Sequence, residues 1–122
     1  MDADRKGAAL DELVQDDDEV AVAAVTIAEL LVGALLADDV HRPGRQRFVD
    51  DVRGIVPVID YDAVVAASHA ELLVAVRRQG RPRGAHDLII AATAHATQRE
   101  VVSADVSVYQ DLPGVTIRAL RG

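Results

Sequence analysis

Three carboxylates stand where a site at the edge of a sheet would need them: Glu29, Asp87 and Asp105. Glu29 follows a short valine–alanine run at 20–25 and is expected in the first turn of the next helix. Asp87 directly precedes the apolar stretch Leu88-Ile89-Ile90, and Asp105 ends the run Val101-Val102-Ser103-Ala104-Asp105. Each acid alone has a structural explanation: Thr26 and Glu29 fit a T-x-x-E capping box, and the aspartates suit helix caps. Three acids on one edge of a parallel sheet are harder to explain that way. Two carboxylates ~4 Å apart repel by about 4 kcal/mol at an effective dielectric near 20. Such a cluster needs protons or a cation. Oxygen-only ligands with open positions suit Mg²⁺, with Mn²⁺ as the alternative, rather than zinc. A metal so held lowers the pKa of a bound water and stabilises an in-line phosphoryl displacement.

The other candidates are cationic. All thirteen cations except Lys6 are arginine, concentrated at 42–53 and 77–83. Arginine presents a fixed fork of donors suited to phosphate. Arg77, Arg78, Arg81 and Arg83 flank the acidic site and can hold phosphates, or simply complement a helix C-terminus. His86 adjoins Asp87 and is a candidate substrate contact, whereas His41, His69 and His95 show no ligand spacing.

Composition narrows the chemistry. The chain has 122 residues, no cysteine, 50% hydrophobic and 27% charged residues, which argues for one folded domain over 1–122 and excludes disulfides, thiol catalysis and iron–sulfur clusters. A net charge of −7 argues against non-specific nucleic-acid binding. Phe48, Tyr61 and Tyr109 are the only aromatics, which argues against base-stacking platforms of the single-strand-binding type. No apolar run approaches the ~18 residues of a membrane span, and the first residues do not form a signal peptide. A reducing cytoplasmic setting and no membrane partner are expected.

The elements that must position the acids alternate. Helical spacing covers 3–15 and ends in the acidic turn Asp16-Asp17-Asp18-Glu19. A strand is expected at 20–25, then a helix from Thr26 through Leu36 and a loop at 41–44. A charged helix at 45–54 leads to an edge strand at 55–59 containing Pro57. A long helix at 63–78, capped by Asp60 or Asp62, is followed by a loop at 79–85 and an apolar helix at 86–97. Strands at 100–103 and 115–120 complete the chain. Alternating strands and helices imply an α/β fold with a parallel sheet, whose ligands bind beyond the strand C-termini.

Thr26-Ile27-Ala28-Glu29-Leu30-Leu31-Val32-Gly33 resembles the T-x-x-E-L-x-x-G signature of PIN-domain nucleases. Arg83-Gly84-Ala85-His86-Asp87-Leu88-Ile89-Ile90-Ala91-Ala92 is similar to their segment in which an arginine precedes D-x-x-I-A-A. Val101 to Asp105, followed by Leu112-Pro113-Gly114-Val115, resembles their T-x-D strand end and closing strand. Size and element order are similar to the VapC branch of bacterial toxins. The resemblance implies a three-layer α/β/α PIN-like domain with about four parallel strands. It further implies an Mg²⁺-dependent endoribonuclease with Glu29, Asp87 and Asp105 as metal ligands, and Ser103 bonding within the acidic cluster. An RNA substrate, a cognate antitoxin and a homodimer follow from the same resemblance, the 30–36 helix face offering the protein contact.

Two departures bear on activity. A further acid often found after the T-x-D aspartate is replaced here by one of Val106, Ser107 or Val108. The family's first strand, which is central and ends in D-T/S, has no counterpart, since no strand precedes Asp2 or Asp4. The alternative function is therefore a degenerate or truncated PIN module that binds an antitoxin without cutting RNA. A receiver-like phosphoacceptor domain is disfavoured, because its late lysine is missing.

Overall fold

The computed structural model describes residues 20–120. The helix expected at 3–15, its acidic turn and the segment for which no first strand is expected lie outside them. The chain divides into two compact units, one ending at Ile59 and the other covering Asp60–Arg121.

In the first unit, β1 (Val22–Ala23) pairs in parallel with β2 (Val58–Ile59), Val22 standing opposite Val58. Between them run α1 (Ala24–Leu36) and α2 (Arg42–Ile55). Ile27, Val52 and Val56 form the buried centre, with Leu30, Leu31 and Phe48 packed on it. Three boundaries differ from expectation. First, α1 begins at Ala24, capped by Ala23 without a side-chain bond, so Thr26 is inside the helix and caps nothing. A valine–alanine run is compatible with either backbone state, and burial of Ile27 extends the helix backward through Ala24 and Val25. Second, the loop expected at 41–44 is helical from Arg42 onward, since Pro43 in the first turn has the φ a helix needs and no amide to lose. Third, Ile55 belongs to α2, and the strand begins only beyond Pro57, whose carbonyl accepts from the Val22 amide at 3.0 Å.

The α1–α2 turn is held by its own polar groups. The Asp38 carboxylate accepts from the His41 amide at 2.9 Å and bonds its ring Nδ1 at 2.7 Å. The Arg42 guanidinium donates to the Ala37 carbonyl at 3.0 Å, covering an acceptor that α1 leaves open.

The second unit contains α3 (Ala63–Gln79), α4 (Ala85–Ala96), β3 (Val101–Ser103), a 3₁₀ turn (Ser107–Tyr109) and β4 (Ile117–Ala119). Of the two capping candidates, Asp62 starts α3, its carboxylate accepting from the Val65 amide at 3.0 Å. Gly80 ends it in the left-handed region, φ 67°, where a side chain would be strained. β3 and β4 are parallel, Val101 opposite Ile117 and Ser103 opposite Ala119. Val65, Leu72, Leu88, Ala91, Ala92, Val101, Tyr109 and Leu112 form one core. Alanines at 91 and 92, both 0% exposed, let α4 lie close to its neighbours, and α4 packs mainly on α3 and also against β3 and the 3₁₀ turn.

The four expected strands are present and parallel in pairs, but among the described residues they form two separate two-stranded ladders. No described helix is long and apolar enough to cross a membrane.

Candidate metal centre

Asp87 and Asp105 both belong to the second unit, and Glu29 to the first. Asp87 is the third residue of α4, whose cap is Gly84 rather than the aspartate. Its negative charge in the first helical turn is favourable, because exposed amides and the helix dipole make that end positive. The carboxylate is half-buried. It makes no hydrogen bond or ion pair among the described residues. Its Oδ2 lies over Gly84, where a Cβ would come within 2.7 Å. Glycine therefore leaves the room that the acid occupies.

Asp105 ends the turn after β3. Its Oδ1 accepts from the Ser107 amide at 3.1 Å and from the Ser107 hydroxyl at 2.6 Å. One oxygen is thus spent in starting the 3₁₀ turn. Oδ2 has no partner among the described residues. Ser103 contacts the backbone of Asp105 rather than its carboxylate: its Oγ accepts from the amide and donates to the carbonyl, both at 3.1 Å. The Ser103 hydroxyl therefore shapes the turn that carries the acid.

Glu29 is the sixth residue of α1, exposed, and in its second turn rather than its first. The capping box expected from Thr26 to Glu29 is absent, for the boundary reason above. His86 is exposed at the second position of α4. Among the described residues no group of three or more His, Asp or Glu side chains is assembled to hold a metal ion. The donor chemistry nonetheless fits a hard divalent cation. Asp87 is a half-buried carboxylate without a protein donor, and Asp105 has one oxygen open.

The arginines differ in their surroundings. Arg81 makes an exposed 2.8 Å ion pair with Asp111. Arg83 is half-buried and donates from Nε to the Val108 carbonyl at 3.1 Å and from Nη2 to the Gln110 carbonyl at 2.9 Å. Its Nη1 donates to the Arg81 carbonyl.

The bond from Ser107 to Asp105, the room left by Gly84 and the carbonyls that accept from Arg83 are contacts the sequence reading does not contain. An aspartate two residues before a serine is a signal for a local turn, so Ser107 could have been found. The other contacts are non-local and leave no trace in spacing.

Comparison with known proteins places the fold. The PIN domain family model matches residues 1–110. Over 100 residues the chain is 29% identical to the tRNA(fMet)-specific endonuclease VapC of Shigella flexneri, covering 80% of this chain and 72% of that protein. Its fold is similar to VapBC-5 of Mycobacterium tuberculosis, with TM-score 0.73 and 30% identity over 84% of this chain and 82% of that one. It is also similar to VapBC2 of Rickettsia felis, with TM-score 0.81 and 22% identity over 90% and 81%. The chain belongs to the PIN-domain family of nucleases, in the VapC-like branch of toxins from toxin–antitoxin systems.

Proposed function

We propose that this chain hydrolyses RNA phosphodiesters with a divalent cation held by Glu29, Asp87 and Asp105. The observation that carries the reading is the Asp87 carboxylate: half-buried, without a protein donor among the described residues, and given space by Gly84. A half-buried carboxylate without a donor keeps its oxygens open to a cation, which offsets the partial loss of water around its charge. Mg²⁺, with Mn²⁺ as substitute, supplies water activation and charge neutralisation at the reacting phosphate. The protein residues do the positioning. The start of α4 sets Asp87, Ser103 and Ser107 set Asp105, and Arg81 and His86 face the substrate backbone. Hydrolysis leaves 5′-phosphate and 3′-hydroxyl ends, as the family resemblance implies.

The cell partner is a cognate antitoxin and the setting is cytoplasmic. Support comes from the family and from the exposed apolar residues of α1: Leu35 is 69% and Leu36 82% exposed. The same face serves a homodimer. These side chains also favour a second reading, in which the chain binds its antitoxin without cutting RNA.

Cleavage of a defined RNA, with Mg²⁺ and with chelator, separates the readings. Asp87→Asn is expected to abolish metal-dependent cleavage while leaving the melting temperature within about 2 °C, since no protein donor is lost. Activity that survives both chelation and this substitution would sink the metal-site assignment.

A further inference from the structure

Arg83 joins the two segments that carry the aspartates. It lies in the loop that enters α4 ahead of Asp87. Its acceptors, the carbonyls of Val108 and Gln110, lie in and just after the 3₁₀ turn that follows Asp105. The carbonyl of Arg81 and, marginally at 3.5 Å, Gln79 Oε1 take further donors. Gln79 adds a parallel tie, its amide nitrogen donating to the Asp111 carbonyl at 2.7 Å. The fork is thus committed to neutral oxygens of the protein itself, chiefly backbone carbonyls. To grip a phosphate it would have to abandon them and leave the half-buried Val108 segment with an unpaired carbonyl.

We propose that Arg83 is a positioning residue: its guanidinium locks the Asp105 turn to the start of the Asp87 helix and so sets the geometry of the metal ligands. The assignment rests on the proposed metal-dependent function. The planar fork is essential, because carbonyls at several directions around it must be reached together. A lysine at this position keeps the charge but offers one compact ammonium and cannot span them.

The test compares the unaltered chain with Arg83→Lys and Arg83→Gln. Three properties are measured: amide hydrogen exchange at 105–110, Mn²⁺ binding by electron paramagnetic resonance, and RNA cleavage kinetics at several salt concentrations. Both variants are expected to exchange the Ser107 and Tyr109 amides about tenfold faster and to bind Mn²⁺ about tenfold more weakly, the usual scale for a residue supporting metal ligands. In both, kcat falls while KM for RNA and its salt dependence stay unchanged. A phosphate contact would behave differently: Arg83→Gln would raise KM and reduce the salt slope by about one, with Arg83→Lys largely spared. That pattern overturns the assignment, as do variants with Mn²⁺ affinity and kcat equal to the unaltered chain. An unaltered chain that neither binds Mn²⁺ nor cuts RNA overturns the proposed function, and this assignment with it.

Discussion

Replacing Gly114 by alanine tests the packing of the second unit at one atom. Gly114 has φ +74° and lies in the turn before β4. An added Cβ would come within 2.6 Å of His95 Nε2 and 2.9 Å of its Cδ2. The ring cannot swing aside freely, because Nδ1 shares a 2.7 Å hydrogen bond with Ser68 Oγ. Ser68 is itself buried, at 7% exposure. Two costs therefore add. A left-handed alanine is unfavourable by about 1 kcal/mol, and breaking the bond to a buried hydroxyl costs roughly 1–3 kcal/mol. The expected loss is about 2–4 kcal/mol, or a melting temperature lower by roughly 8–15 °C. Urea and thermal unfolding of Gly114→Ala, His95→Ala and the double variant measure it. In the His95→Ala background only the backbone cost, about 1 kcal/mol, remains. Equal costs in the two backgrounds would refute the clash, and a total below about 1 kcal/mol would refute both parts.

Gly84→Ala is expected to leave stability nearly unchanged, because its Cβ meets only the movable end of Asp87, at 2.7 Å from Oδ2. It displaces that carboxylate, so metal-dependent cleavage is expected to fall about tenfold or more; unaltered activity would show that the carboxylate position is unimportant. Asp62→Ala removes the cap on the Val65 amide and is expected to cost about 1 kcal/mol, with Asp62→Ser retaining most of it; chemical denaturation decides. The Asp38 carboxyl is held below its ordinary 3.8 by the His41 amide first and then by the His41 ring. Since the folded value is the lower one, this contact stabilises the fold above the ordinary value and is lost as pH falls through the folded value. Asp38→Asn should therefore flatten the acid limb of the stability profile, and an identical limb in both proteins would contradict it.

Much of this protein is legible in one dimension. The order of helices and strands follows from apolar periodicity, and residue type narrows the start of α3 to Asp60 or Asp62. The family follows from motifs in which acids stand at fixed distances from apolar runs. These features are local, so they survive without coordinates. Boundaries are less so: valine and alanine at 20–25 suit strand and helix alike, and burial of Ile27 within the first unit carries the helix back to Ala24. The use of each polar group is decided later still. Arg83, with phosphate binding expected of it, turns its fork onto carbonyls at 108 and 110. His95, with no apparent role in the sequence, is held between Ser68 and the bare Cα of Gly114. A guanidinium or an imidazole has no inherent partner. Which donor it satisfies depends on which loops the core brings within hydrogen-bond reach, and only packing of α3, α4, β3 and the 3₁₀ turn around Leu88, Tyr109 and Leu112 determines that.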